Sequence, residues 1–313
     1  CGAGGVDGQS AADGAHQRVH VFAKPAPHAA SLTCVGQPVA IALRPYGWPM
    51  TFELGITVDQ SDPIGEAAAC PAPIVQLLIG DPQSWKTPKL GYPAGPEALR
   101  DAAESAGVGI YVHAPYVINV ASTNNRIRIP SRKLLQQHVS MAARIGARGV
   151  IVHGGHVTAN DDPEQGYENW FKAVDGLDLD CPILIENTAG GSHAMTRHLD
   201  SIARLWEAIG TASDFDRVGF CLDTCHAHAS GEDLSDIVGR LRAITGRIDL
   251  VHLNDSRDAA GSGADRHAHL GQGQIDPQLL VDVVRQAAAP TILETHGSVQ
   301  DQCQDMAWLN QRL

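Results

Sequence analysis

Three observations predict an α/β fold, a (β/α)8 TIM barrel. Eight short apolar runs recur along the chain, and helical stretches lie between them. The segment 50–313 has the size such a barrel needs, about 250 residues. Side chains bearing imidazole or carboxylate stand where nearly every apolar run gives way to polar sequence. The C-terminal ends of all eight barrel strands converge on one mouth, whereas an open doubly wound sheet spreads its strand ends too widely for one site.

The predicted strands are 52–58, 74–79, 109–113, 149–153, 183–186, 218–223, 249–253 and 291–294. Four helices are legible between them. One, over 131–145, follows a Pro and is apolar at Leu134, Leu135, Val139 and Ala142. A second, 198–209, carries Ile202, Leu205, Trp206 and Ile209, and a third, 234–244, carries Ile237, Val238, Leu241 and Ile244. The last, 277–287, begins with Pro277 after Asp276 as N-cap. No internal repeat is evident beyond this alternation.

Residues 1–49 are different. They are rich in Gly, Ala, Pro and His and keep no period of 2 or 3.6. Met50 stands directly before the first good strand, so the sequence predicts Met50 as the natural start and 1–49 as disordered or a non-native extension. The longest apolar runs are strand-sized, which predicts no transmembrane segment, and residues 1–20 lack the pattern of a secretory signal. Seven Cys with no CxxC pair read as reduced thiols of a cytosolic protein rather than a disulfide framework. Nothing marks an interface, so a monomer is expected.

Nine residues carry the chemistry. His113, His153, Glu186 and His252 come late in their strands, Asp223 and Glu294 end theirs, and His226, Asp265 and His267 lie in the loops that follow. All nine therefore belong to the C-terminal face. That is too many nitrogen and oxygen ligands for one metal; three ions with three or four protein ligands each would use them if one carboxylate bridges. Imidazole with carboxylate suits zinc, with manganese or iron at similar sites, and the lack of Cys suits a catalytic rather than a closed structural site. Clustered divalent ions suit phosphoryl transfer better than carbonyl chemistry. A net charge of −12 argues against a nucleic-acid partner, but each bound ion adds two positive charges where a phosphate docks, so the sign near the site decides. The densest basic stretch, Asn124, Asn125, Arg126, Ile127 and Arg128 with Arg132 and Lys133, follows the third strand at that mouth and suits phosphate contact.

With these motifs in view, the chain from Phe52 to about Leu313 resembles endonuclease IV, the zinc-dependent apurinic/apyrimidinic endonuclease. The resemblance rests on His113-Ala114-Pro115-Tyr116, Glu186-Asn187-Thr188-Ala189-Gly190, Cys221-Leu222-Asp223-Thr224-Cys225-His226, His252-Leu253-Asn254-Asp255-Ser256, Asp265-Arg266-His267 and Leu293-Glu294-Thr295. It implies three zinc ions, with Mn2+ an alternative at one or more positions. His113, His153 and Glu186 would hold one; Glu186, Asp223, His252 and Glu294 a second; His226, Asp265 and His267 the third. It further implies DNA repair: cleavage of double-stranded DNA 5′ to an abasic site, leaving a 3′-hydroxyl and a 5′-deoxyribose phosphate, with Glu186 orienting or deprotonating the water. A cytoplasmic, nucleoid-associated protein is the matching expectation. Tyr116 matches a family residue that inserts into the duplex beside the lesion, where a missing base pair makes flipping least costly.

Two positions depart from the family pattern. Thr57, in Gly55-Ile56-Thr57-Val58-Asp59, stands where the family usually has a His, and Gln83 stands where it often has an Arg. No metal position is lost, so the chemistry is expected intact and the grip on DNA reduced. Two competing readings remain at this level. A sugar isomerase or epimerase would use Glu186, Asp223, His252 and Glu294 but leave the other five residues unexplained. A non-catalytic binder of damaged DNA is suggested by Thr57 and Gln83. Intact-mass analysis of the native protein tests the predicted start: a mass that begins at Met50 is expected, and one that includes residues 1–49 contradicts it.

Overall fold

The structure, a computed structural model, describes residues 52–313; the expectation for 1–49 lies outside the described residues. Eight parallel strands form its centre: β1 Leu54–Val58, β2 Ile74–Leu78, β3 Gly109–His113, β4 Gly149–His153, β5 Ile183–Glu186, β6 Val218–Asp223, β7 Leu250–His252 and β10 Thr291–Leu293. They close into a barrel in the order β1, β10, β7, β6, β5, β4, β3, β2 and back to β1. Each predicted run is a barrel strand, and the differences are confined to one or two residues at the ends.

Helices return the chain from each strand to the next. Three begin with Asp then Pro: α1 Pro63–Ala69, α4 Pro163–Val174 and α8 Pro277–Ala287. The Asp carboxylates of Asp62, Asp162 and Asp276 accept from the first free backbone N–H groups, and Pro has no N–H to leave unpaired. The others are α2 Pro96–Ala106, α3 Asn125–Arg144, α5 Leu199–Ile209, α6 Thr224–Ser230, α7 Ile237–Thr245 and α9 Val299–Asn310.

Three readings need correction. The helix expected over 131–145 begins six residues earlier, so the basic stretch at 125–128 is helical rather than loop. Pro130 misleads, because Pro favours a first turn; here Asn124 caps the helix by accepting from Arg126 N at 2.9 Å, and Pro130 lies inside it. The segment after β7, expected to be a plain loop, folds back as a two-stranded antiparallel sheet of β8 Asp255–Ser256 and β9 His267–Ala268. Buried Asp255 anchors it by accepting from Gly271 N, Gly273 N and Ile275 N at 2.9–3.0 Å. The cysteines are not all reduced either: Cys70 and Cys303, with Cα atoms 5.4 Å apart, are joined as a disulfide between the end of α1 and α9, while Cys181, Cys221 and Cys225 are free and buried. Proximity of residues 233 apart is a tertiary fact that spacing does not show.

Two apolar layers hold the barrel. The larger lies between sheet and helices and includes the fully buried Trp170 and Phe220. The smaller plugs the inside with one residue from each of seven strands: Ile74, Tyr111, Ile151, Leu184, Cys221, Leu250 and Ile292. On β1 the matching position is Gly55, where a Cβ would stand 2.3 Å from the Ile74 carbonyl oxygen and 2.5 Å from its Cγ1. Ile74 therefore fills the space that a side chain at 55 would need. Gly55→Ala is expected to destabilise the barrel by about 1–3 kcal/mol through overpacking, read as a lower urea midpoint; an unchanged midpoint contradicts this packing.

Candidate metal centre

Side chains alternate along a strand, so the residue two places after each plug residue points into the barrel one level higher. Those residues are Gln76, His113, His153, Glu186, Asp223, His252 and Glu294, and Thr57 holds the equivalent place above Gly55. The apolar plug ends one level below, and above it the barrel interior is polar. Six of the nine sequence-derived candidates lie in this layer. The other three arrive from loops. Asp223 caps α6, accepting from His226 N at 2.6 Å, and this fixes His226 three residues on. Asp265 and His267 come over the mouth on the β8–β9 insertion.

The nine converge in three groups whose ligand-type atoms lie within 4.8 Å of one another: His113, His153 and Glu186; Glu186, Asp223, His252 and Glu294; and His226, Asp265 and His267. Glu186 is fully buried at the centre. Its Oε2 is 3.3 Å from His113 Nε2 and 3.2 Å from His153 Nε2, while its Oε1 is 3.0 Å from His252 Nδ1. One carboxylate thus faces two groups, one oxygen to each. Asp265 Oδ1 lies 3.2 Å from both His226 Nε2 and His267 Nε2.

The outward nitrogens are committed elsewhere. His113 Nδ1 pairs with the Ala114 carbonyl at 2.7 Å, and His226 Nδ1 with the Asn187 carbonyl at 2.8 Å. As these oxygens only accept, each Nδ1 carries a proton and each Nε2 is the nitrogen turned inward, the orientation metal-binding imidazoles adopt. Asn254 Nδ2 donates to Asp223 Oδ2 and Glu294 Oε2 at 2.7 and 3.2 Å, and Asn187 grips the Asp223 backbone at both N and O. Trp170 donates to the Gly154 carbonyl at 2.7 Å and so fixes the turn after His153.

Electrostatics point the same way. Burial pushes the His267 imidazole down, but Asp265, Asp223 and Glu294 outweigh it and lift it to about 9. Burial likewise opposes the charge on His226 and His252, and the surrounding anions still raise both above the ordinary histidine range. Burial raises the Asp223 carboxyl despite the His226 and His267 imidazoles. Buried carboxylates of this density need positive charge among them. His267 Nε2 is buried and faces Asp265 Oδ1 across 3.2 Å without a well-directed hydrogen bond, which leaves it placed to meet a cation. Cys221 and Cys225 lie close enough to be ligands, but burial pushes both thiols up to about 12, which keeps them protonated and poor at ligation. The nitrogen and oxygen set fits divalent metal ions of the zinc type.

The groups open into a cavity of about 510 Å³ that also involves Thr57, Gln76, Tyr116, His296 and Gln302. Tyr116, 54% exposed, stands at the mouth with its ring 5.8 Å from His153. Of the other residues expected to touch a nucleic acid, Arg126 is exposed, and Asn124 is exposed but uses its carboxamide oxygen in the cap. Arg128 donates to the Ser122 and Thr123 carbonyls, bracing the turn before α3. Arg132 donates to Lys172 O at 2.6 Å, on the side of α4 rather than at the mouth. Gln83 is exposed on the loop after β2 and does not line the cavity. Thr57 lines it, with its hydroxyl on the Leu293 carbonyl and its backbone held at both ends by Gln302.

Sequence reasoning missed four residues of the site. Gln76 was hidden in an apolar run, although its even spacing from Ile74 and Leu78 marks it as facing the same way. Gln302 and His296 reach the mouth from the chain after β10, and no local pattern announces them. Trp85, beside Gln83, joins Tyr116 and Ile127 in a second groove of about 350 Å³ next to the first.

Comparison with known proteins bears on this geometry. The family model described as xylose isomerase-like TIM barrel matches residues 64–312. A probable endonuclease 4 of Mycobacterium marinum is 55% identical over 262 residues, 83% of this chain and 98% of that protein. One from Mycobacterium leprae is 52% identical over 259 residues with the same coverage. The crystal structure of endonuclease IV from Thermus thermophilus covers 83% of this chain and 98% of its own, with a TM-score of 0.70 at 30% identity. A D-tagatose 3-epimerase-like protein gives 0.68 at 18% identity, a likeness of fold alone. Identity this high across nearly the whole length of the relatives, on a barrel whose mouth gathers the three ligand groups, places the chain in the endonuclease IV family.

Proposed function

We propose that residues 50–313 form a DNA-repair endonuclease domain that hydrolyses the phosphodiester 5′ to an abasic site, leaving a 3′-hydroxyl and a 5′-deoxyribose phosphate. The observation that carries this reading is the set of three contiguous ligand groups, two of them sharing Glu186, at an open mouth. An epimerase quartet of Glu186, Asp223, His252 and Glu294 would leave the groups around His113 and Asp265 without work. A cytoplasmic site of action beside the chromosome, as a monomer, goes with this substrate; among the described residues no helix is long and apolar enough to cross a membrane.

Three zinc ions would be held by the three groups, with Mn2+ an alternative. When bound, they supply a water of lowered pKa and positive charge at the attacking and leaving oxygens. Four carboxylates against three divalent ions leave the mouth positive, which reconciles a phosphodiester substrate with an acidic protein. Glu186, with one oxygen toward each of two groups, orients the attacking water and takes its proton. Asn254 keeps Asp223 and Glu294 turned inward. The exposed ring of Tyr116 enters the duplex beside the lesion. Arg126 contacts the phosphate backbone from the start of α3; Arg128 and Asn124 shape that rim, Gln83 with Trp85 forms the facing one, and Arg132 acts at most through α4.

The test is cleavage of a duplex carrying one abasic site, against the undamaged duplex, with product ends identified. A single cut 5′ to the lesion is expected, abolished in Asp223→Ala and reduced about 10²–10⁴-fold in Glu186→Gln; unchanged cleavage in the latter contradicts the role given to Glu186. Metal uptake gives a second test. In the metal-free site His267, at about 9, carries a proton at pH 7, and the surrounding anions favour the charged form of His226 and His252 as well. A cation must displace those protons. Uptake near pH 7 should therefore acidify a weakly buffered solution, and apparent affinity should rise as pH climbs toward 9. Uptake without proton release contradicts this charge assignment.

A further inference from the structure

The inward layer above the plug has eight positions, and the ligand groups use six of them. Thr57 and Gln76, the other two, are neighbours in the β1–β2 register. Thr57 turns its hydroxyl to the Leu293 carbonyl at 3.1 Å. Gln76 does something different. It is 1% exposed, and both ends of its carboxamide are on metal-ligand candidates: Nε2 is 2.6 Å from Glu294 Oε1, and Oε1 is 2.7 Å from His252 Nε2. These two contacts fix each other's polarity. A carboxylate only accepts, so the amide nitrogen faces Glu294. The amide oxygen then faces His252, and His252 Nε2 must carry a proton and donate it. His252 Nδ1 is thereby the nitrogen turned toward Glu186 Oε1 and Glu294 Oε2, at 3.0 and 3.3 Å, and the one whose lone pair an ion would take once its proton leaves.

From this geometry we propose that Gln76 is a positioning residue of the second ion site. It holds His252 with Nδ1 presented inward and holds Glu294 in the rotamer that meets it. For the other imidazoles of the site whose outward nitrogen is engaged, a backbone carbonyl does this. His252 is served by a side chain, and the same side chain couples it to a second ligand. A buried carboxamide among apolar strand residues is retained only if every polar end is satisfied. Here both ends are satisfied by ligand candidates, so its position is explained by the site and not by the core.

The inference rests on the metal reading above, and the experiment separates the two. Zinc-loaded wild type and Gln76→Leu, of similar volume, are titrated with a chromophoric chelator, and ion release is counted. In Gln76→Leu one ion should leave about 10–100-fold more readily, the range seen when a partner of a metal ligand is removed. The other two should keep wild-type affinity. Activity at limiting zinc should fall through kcat and recover at saturating zinc, with KM for the abasic duplex unchanged. Independently of zinc, the His252 Nε2–H proton, assigned by its loss in His252→Asn, should give a slowly exchanging downfield NMR signal in wild type that moves or exchanges rapidly in Gln76→Leu. Three ions held as in wild type, or an equal weakening of all three, overturns the proposal. If wild type itself fails to take three ions, the metal reading fails, and the His252 proton still decides the role of Gln76. Gln76→Met repeats the test should Gln76→Leu not fold, and failure of both to fold makes Gln76 structural and overturns the proposal.

Discussion

The structure depends on a conflict between burial and charge at the top of the barrel. Glu186 and Asp223 are fully buried, Glu294 is largely so, and five imidazoles surround them with Asp265. Desolvated carboxylates packed this closely are tolerable only with positive charge between them. These same carboxylates favour the charged form of His226, His252 and His267, which is why the three imidazoles rise despite burial. Divalent ions provide positive charge more densely, and the inward nitrogens are placed to receive them once their protons leave. The site is thus electrostatically incomplete by construction, which is how a protein stores affinity for a metal.

The barrel tolerates this arrangement because only one layer is polar. Below the ligand layer the plug from Ile74 round to Ile292 excludes water and fixes strand spacing, and outside it the helices cover the sheet. A polar layer on such a base is held by strands rather than loops, which limits how far its side chains can move. The three ligand candidates that come from beyond strand ends are each tied down: His226 by the Asp223 cap, Asp265 and His267 by the Asp255-anchored insertion. Orientation is delegated to neutral groups, Asn187, Asn254 and Gln76, which add no charge to an already crowded centre.

The rim shows what the chain needs beyond the chemistry. Aromatic and aliphatic surface is exposed at Trp85, Tyr116 and Ile127, in the groove beside the mouth. Stacking surface of this kind grips nucleobases without reading sequence. The basic residues nearby divide between reaching solvent, as Arg126 does, and bracing the scaffold, as Arg128 and Arg132 do.

By itself the sequence determined the barrel and the identity of the ligand-type residues. Parallel strands buried on both faces read as unbroken apolar runs, and 109–113, 149–153, 183–186 and 218–223 were legible to the residue because an imidazole or carboxylate ends each run. Asp276-Pro277 announced one helix start through local capping chemistry. What the tertiary structure decided were relations between distant positions. Cys70 meets Cys303, Gln302 clamps Thr57, Asp255 anchors a loop ending twenty residues on, and Gln76 joins His252 to Glu294. None of these has a local signature, because each depends on which strand closes against which. The start of α3 was missed for a different reason: Pro130 states a preference for a first turn, and the cap at Asn124 with the packing of the helix overrode it.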